Sequence, residues 1–381
     1  MEFCVWTLKE TKMGNTKKVL ISGASFAGLT TAFWMNKMGY KVTVVETSSD
    51  LKKGGTPVDI KDQTVDIVKR MGLFEQIKAK RLGLERWEFK NAEDVTIRTM
   101  LLKQPGEELP DDEFEIERDV LLQMLFDLVK NDVNFIFSNS ITALHQENDF
   151  VQASFKDGSS NRYDLVFGCD GLHSVVRKIC FGSEDQYVKS LGQYFSIAIV
   201  DKYLIPDSTL QLYAEPNKGV MLNAYNNKTD VVFTFRPEQE ILYDFRDQEL
   251  HKQIVSAQFE GMGWRTKELQ AELLTANSFY FDKFCQVKML SWTKGRIALV
   301  GDACYCASPA AGMGGSLAII GATAIADALL DCEGNHKLAY IEYDKKMRPF
   351  VDQVQADAVE MLDKLLPRTQ EEIDLMHQNG F

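Results

Sequence analysis

Lys18-Val19-Leu20-Ile21-Ser22-Gly23-Ala24-Ser25-Phe26-Ala27-Gly28 opens the folded part of the chain, and its continuation decides the fold. A short apolar run enters a turn bounded by two glycines. Residues 29–38 then carry apolar side chains at helical spacing, and residues 41–46 return to a β-branched run that ends at Glu46. Strand, tight turn, helix, strand is a βαβ unit, which builds a parallel sheet. The turn also carries chemistry. Gly23 permits the bend and Gly28 lets the helix approach the strand. Around Ser25, Phe26 and Ala27 the helix start offers N–H groups and positive dipole to a pyrophosphate, with Glu46 placed to accept from a ribose hydroxyl. Ser25 stands where the dinucleotide fingerprint has its middle glycine. Taken alone, the stretch also admits a tight turn that binds nothing.

Working outward, residues 64–80 are amphipathic and predict one helix, and residues 118–130 predict another. Residues 84–102 mix polar and β-prone side chains, and the acidic, Pro-bearing residues 104–115 read as an exposed loop. Residues 133–137 and 151–155 read as strands, the second meeting Asp157-Gly158, a strong hairpin signal, before the apolar residues 163–168. From 186 to 288 the character changes to β-prone runs at 195–200, 209–214, 219–225 and 230–236, with a helix near 248–260. That pattern predicts an antiparallel sheet with its own face to bury. An apolar strand at 296–300 and a helix at 316–330 then resume the first domain, so the sheet is an insertion. A long helix over 338–366, with a kink expected at Pro349, and a short helix over 369–378 close the chain.

The 381 residues leave room for two domains, and 45% hydrophobic with 26% charged residues is an ordinary globular mixture. A net charge of −12 repels phosphate backbones, so nucleic-acid partners are not expected. The longest apolar stretch, residues 316–330, is interrupted by Asp327 and falls short of the roughly 20 residues a bilayer span needs. No stable membrane association is therefore expected. Residues 1–12 do not read as a secretory signal, and residues 1–15 are expected to be an extension, with Met13 just before the first strand. Seven cysteines, an odd number without CxxC pairs, point to reduced thiols and a cytoplasmic location. Cys304-x-Cys306 is too closely spaced for a zinc knuckle, and no metal site is expected.

Two further motifs lie where ligands of open α/β sheets bind. Residues 163–171 end in Asp170-Gly171 at the carboxyl end of a buried strand, followed by Ser174 and Arg177. Gly295-Arg296-Ile297-Ala298-Leu299-Val300-Gly301-Asp302 ends a second strand in a carboxylate able to accept from polyol hydroxyls. Pro309 and Gly312-Met313-Gly314-Gly315 then lead into a helix whose N–H groups can stabilise an anion. In order and spacing the three motifs resemble those of the class A flavoprotein aromatic hydroxylases, the p-hydroxybenzoate hydroxylase-like family, over nearly the whole chain from about residue 17 to 366.

The resemblance implies an α/β fold: a Rossmann-like FAD-binding domain, an inserted antiparallel-sheet substrate domain and a long C-terminal helix. It divides the chain into residues 16–83, 105–185 and 288–335 for FAD, 84–104 and 186–287 for substrate, and 336–381 for the C-terminal helices. It implies that Gly23, Ser25, Phe26, Ala27, Gly28 and Glu46 hold the ADP half of FAD and that Arg118 reaches the cofactor. Asp302 would bind the ribityl chain, with Pro309, Gly312, Gly314 and Gly315 by the flavin pyrimidine ring. Asp170 belongs to a motif linked to FAD and NADPH, and Lys53 and Gly55 to a segment near the flavin.

More narrowly, Gly54-Gly55-Thr56-Pro57-Val58-Asp59-Ile60, Ser291-Trp292-Thr293-Lys294-Gly295-Arg296 and Cys304-Tyr305-Cys306-Ala307-Ser308-Pro309 look like the tetracycline destructases. That likeness implies oxidation of a tetracycline-like phenol or enol with NADPH and molecular oxygen, through a flavin C4a-hydroperoxide, by a monomer whose last two helices bridge and gate the site. Alternatives are a class A hydroxylase of another phenol or enol, or a flavin reductase that inserts no oxygen. For the substrate wall, alternate sheet residues Gln211, Tyr213, Met221, Asn223 and Phe235 are expected. None of the five histidines, His145, His173, His251, His336 and His377, has a setting that marks an acid or base, so no catalytic residue is assigned. His173 reads as structural.

Overall fold

The computed structural model describes residues 16–103 and 112–380. The expected N-terminal extension and most of the expected 104–115 loop lie outside the described residues. The chain begins with β1 (Lys18–Ser22), α1 (Phe26–Lys37), β2 (Lys41–Val45), β3 (Val58–Lys61), α2 (Gln63–Arg70) and α3 (Phe74–Lys80). Next come β4 (Arg86–Lys90), β5 (Thr96–Leu101), β6 (Glu113–Ile116), α4 (Arg118–Asp127) and β7 (Asn134–Ile136). The hairpin strands β8 (Ile141–Gln146), β9 (Val151–Phe155) and β10 (Ser160–Tyr163) precede β11 (Leu165–Gly168) and α5 (Val175–Cys180). The insertion contains β12 (Val188–Val200), β13 (Thr209–Glu215), β14 (Lys218–Tyr225), β15 (Lys228–Phe235), α6 (Gln248–Gln258), α7 (Thr266–Thr275) and β16 (Ser278–Val287). The chain ends in β17 (Thr293–Lys294), β18 (Ile297–Leu299), α8 (Asp302–Tyr305), α9 (Gly314–Asp331), α10 (His336–Leu365) and α11 (Gln370–Asn379).

Strands β17-β18-β11-β1-β2-β7 form the first sheet, parallel except at β17. β1 and β2 are buried at four of five positions, as strands covered on both faces must be. α1 packs on both strands and against α9, with the Trp34 indole N–H donating to Thr323 at 2.9 Å. By length and composition alone the 18-residue α9 could cross a membrane, but in the fold it is a buried core helix. α10 runs along α9 and carries Tyr343, whose hydroxyl donates to the Leu299 carbonyl at 3.2 Å. Further on, the buried Gln355 amide donates to the carbonyls of Val287 and Cys306. One 30-residue helix thus ties the first sheet to the second.

The second sheet runs β16-β12-β15-β14-β13-β4-β5. β4 and β5 join it from a distant part of the chain, β4 pairing parallel to β13. One face packs under α6 and α7 through Tyr194, Phe233, Phe235, Phe259 and Leu269. The other meets Ala310 and Leu362 through Phe195 and Phe284, and Ile373 and Met376 of α11 through Phe89, Leu210 and Leu212.

Several expectations are corrected. The single helix over 64–80 is two, broken where Gly72 adopts φ 75°. Residues 113–116, expected as loop, form β6 and pair with β3 in a separate two-stranded ribbon. The long C-terminal helix forms as expected, α10 carrying Pro349 inside it, where packing on both sheets holds the helix although one backbone bond is lost. α7 and β16 carried no distinct signal in the sequence. α7 buries Leu269 and Leu273 against the second sheet, and β16 forms its edge by pairing with β12.

Candidate active site

The three motifs arrive at one place because β1, β11 and β18 are adjacent and parallel, so their carboxyl ends align. At the first, Gly23 has φ 101° and donates its N–H to the Val45 carbonyl at 2.8 Å. A Cβ on Gly28 would lie 1.9 Å from the Gly23 carbonyl oxygen, so helix and turn touch as only glycine allows. Ser25, the N-cap of α1, makes no side-chain cap bond, and the first turn has no acidic residue. The first N–H groups therefore remain available to an anion. Glu46 stands beside them, its carboxylate accepting from the N–H groups of Ala24 and Ser48, both at 2.9 Å.

Arg118 brings a second segment to this turn. It is largely buried, it donates to the carbonyls of Lys52 at 3.0 Å and Gly54 at 2.8 Å, and it lies over the Phe26 ring at 5.4 Å. Gly55, at φ 104°, passes so close that a Cβ would sit 2.8 Å from Arg118 Cδ. Asp119 accepts from the Gly54 N–H at 2.9 Å. The Lys53 side chain is exposed.

The two carboxylates of the other motifs differ sharply. Asp170 accepts from the hydroxyls of Ser22 and Ser174 and from the N–H groups of Val175 and Val176, which ties β1 to the start of α5. Asp302, half-buried at the start of α8, has the Cys306 thiol as its hydrogen-bonding neighbour and no cation, and burial pushes its pKa up to about 6. Of the two, Asp302 is the carboxylate with capacity left for a ligand. Ser308, at φ 86°, and Gly312, at φ 62°, then shape the turn into α9, whose first turn has neither a cap bond nor an acidic residue. A Cβ on Gly315 would lie 3.3 Å from Val58 and 3.4 Å from the Phe26 ring, so the first and third motifs are in contact. Pro309, Gly312 and Gly314 are exposed on this turn. A turn without steric room for side chains, open helix N–H groups and a carboxylate with no cation beside it are what a dinucleotide's pyrophosphate and polyol chain require.

The expected substrate wall divides. Met221 and Asn223 pair with Leu212 and Leu210 on the face that meets α11 and the Pro309 turn. Gln211, Tyr213 and Phe235 point to the opposite face, and their assignment to the wall is corrected. Gln211 donates to Glu88 at 2.8 Å, the Tyr213 hydroxyl donates to Glu215 at 2.7 Å, and Phe235 stacks on Tyr194. Alternation along a strand separates its two faces but does not say which one is inner, and cross-strand register decides that. Residues that sequence reading missed on the inner face include Leu210, Leu212, Phe195 and Trp87, for which only the register is informative.

Three titratable groups outside the motifs stand out. Burial, with the charge of Asp59, pushes Glu115 up to about 7, and burial likewise pushes Asp230 up to about 7. His173 stacks on Phe245 with ring centroids 4.3 Å apart, its Nδ1 3.0 Å from Glu184 and its Nε2 3.5 Å from Asp282 of the second sheet. Burial alone would lower its pKa, but the hydrogen bonds and charges of Asp282 and Glu184 outweigh burial and push it up to about 9. A histidine raised on folding stabilises fully below its unfolded pKa of about 6.5, and that stability is lost as pH rises through the folded value. The Tm difference between wild type and His173→Asn is therefore expected to be largest below about pH 6.5 and to shrink towards about pH 9. A difference constant over that range would contradict the clamp.

Residues 16–358 match a family described as "FAD binding domain". The chain belongs to this FAD-binding family. A "Flavin-dependent monooxygenase" from an unknown prokaryotic organism is 35% identical over 358 residues, covering 93% of this chain and 91% of that relative. The protein is accordingly a flavin-dependent monooxygenase, and the glycine turn and carboxylates described above belong to an FAD-binding fold. Among solved structures, tetracycline destructase Tet(51) superposes with a TM-score of 0.85 at 34% identity, covering 96% of this chain and 95% of its own. Tetracycline destructase Tet(55) gives 0.84 at 34% identity, covering 95% and 94%.

Proposed function

We propose that this monooxygenase uses NADPH and molecular oxygen to oxidise tetracyclines and thereby inactivate them. The supporting observation is the end-to-end superposition on two tetracycline destructases, extending over the substrate sheet as well as the FAD-binding core. Bound FAD supplies the electron and oxygen transfer chemistry, and the protein's task is to hold, orient and enclose it. The open N-terminus of α1, with Gly23, Ser25, Phe26, Ala27 and Gly28, holds the pyrophosphate, and Glu46 accepts from the adenosine ribose. Asp302 accepts from the ribityl hydroxyls, while Arg118 fixes the Gly54-Gly55 segment against the start of α1. The start of α9, with Gly312, Gly314 and Gly315, would present its open N–H groups and positive dipole end to the flavin ring and so favour negative charge there. Asp170 acts at one remove, holding Ser22 and α5 in place.

Over this cradle the inner face of the second sheet, with Met221, Asn223, Leu210 and Leu212, forms the substrate wall, and α11 covers it through Ile373 and Met376. Such a cover keeps water from an oxidant that would otherwise be wasted. An enolised substrate carbon is already nucleophilic, so positioning suffices without a dedicated base. The test is NADPH oxidation by FAD-loaded protein with and without a tetracycline, with product mass read from the same reaction. Substrate-stimulated oxidation with one added oxygen atom is expected. A yellow protein whose rate and product mass ignore tetracycline would exclude the substrate and leave the monooxygenase.

A further inference from the structure

A group of carboxylates lies between the β3–β6 ribbon and the second sheet. Asp59 and Glu115 are directly opposite each other in the antiparallel register, on the ribbon face away from buried Ile60 and Phe114. Side chains at such positions are about 5 Å apart at Cβ, and like charges there repel. From the sheet, Asp230 is 0% exposed, with one carboxylate oxygen accepting from the Tyr225 hydroxyl at 2.9 Å and the other buried without any donor. Burial raises the Asp230 carboxyl first, and the negative charge of Glu115 raises it further. Few cations face the group: Lys61 lies on the ribbon, and Lys228 is paired with Glu117 at 2.6 Å. Glu113 and Asp119 add negative charge. Three carboxylates so placed cannot all ionise without leaving a buried charge uncompensated. The group also leads to the FAD cradle, since Asp59 Oδ2 lies 4.0 Å from where Gly312 would carry a Cβ, and the Ser316 hydroxyl donates to the Asp59 carbonyl at 2.7 Å.

We propose that Asp230, Glu115 and Asp59 form a proton-holding cluster that retains a proton in the resting enzyme and passes it towards the Gly312 turn during turnover. The inference rests on the proposed use of a nicotinamide reductant. A hydride brings two electrons and one hydrogen, and oxygen divides between the product and one water. Balance therefore requires one further proton per turnover, which ends on the oxygen released as water. The cluster recovers its proton from solvent at the Glu117 and Lys228 end. In this scheme Asp230 and Glu115 are positioning residues for a proton, acting through Asp59.

The test uses FAD-loaded wild type, Asp230→Asn, Glu115→Gln and Tyr225→Phe, first by infrared spectroscopy from pH 5.5 to 8.5. Wild type is expected to show a protonated-carboxyl C=O band that titrates away near neutrality as one coupled unit. Asp230→Asn and Glu115→Gln are expected to diminish it. Tyr225→Phe, which removes only a donor to the ionised carboxylate, is expected to move its midpoint to higher pH. Absence of the band, or identical titration in all four proteins, overturns the proposal whatever the substrate proves to be. Where tetracycline turnover is found, its alkaline limb is expected to move by about one pH unit in Tyr225→Phe. An unmoved limb with only a lowered Tm would reduce the cluster to a structural role.

Discussion

Gly28→Ala is expected to purify without flavin and to melt about 3–6 °C below wild type. The added methyl group would lie 1.9 Å from the Gly23 carbonyl oxygen, and backbone cannot rotate away as a flexible side chain could. Helix α1 must move off β1, which costs on the order of 3 kcal/mol by overpacking, and in a protein of this size each kcal/mol lowers Tm by roughly 1–2 °C. The same shift breaks the alignment of the first N–H groups with any bound pyrophosphate. Gly314→Ala is the control: its methyl group meets nothing within 4 Å, so Tm is expected to stay within about 2 °C. Scanning calorimetry and the flavin absorbance of the purified proteins measure both effects. Equal behaviour of the two variants would show that close approach at Gly28 is not what shapes the turn.

Asp302→Ala is expected to lose FAD while gaining stability in the flavin-free state. Two hydroxyls donating to this carboxylate are worth about 3 kcal/mol together, or roughly 100-fold in affinity, so the variant loses its yellow colour on dialysis. The stability effect has the opposite sign. Burial raises the folded pKa of Asp302 to about 6, with no cation to offset it. A carboxyl raised on folding binds more protons in the folded state, so its contribution to stability falls as pH rises from about 4 through 6 and stays unfavourable above. Flavin-free Asp302→Ala should therefore melt at or above flavin-free wild type at pH 8, with the gap closing towards pH 4. Retained FAD would remove Asp302 from the cofactor site, and a lower apo Tm at every pH would show that its carboxylate supports the fold.

The parts of the protein written in local sequence were legible. The β1–turn–α1–β2 unit could be read because a fully buried parallel strand is apolar throughout and because Gly23 and Gly28 meet steric demands made by near neighbours in the chain. The strands of the insertion could be recognised, yet the faces of Gln211, Tyr213 and Phe235 could not, since a strand's periodicity is the same whichever side is buried. The ribbon β3–β6 was missed because its polar face is explained only by what lies across from it.

By itself the sequence determined the glycine-bounded turn after β1, the interruption of the first sheet by a second one and the identity of the carboxylate that follows β18, all consequences of short-range sterics and hydrophobic period. Tertiary structure alone decided that Asp170 is spent on α5 while Asp302 has no cation beside it, that Asp59 stands opposite Glu115, that Asp230 is sealed with one oxygen lacking a donor, and that His173 is clamped between Glu184 and Asp282. The ionisation of each of these groups depends on burial and on charges from residues remote in sequence, and those exist only once the sheets have packed.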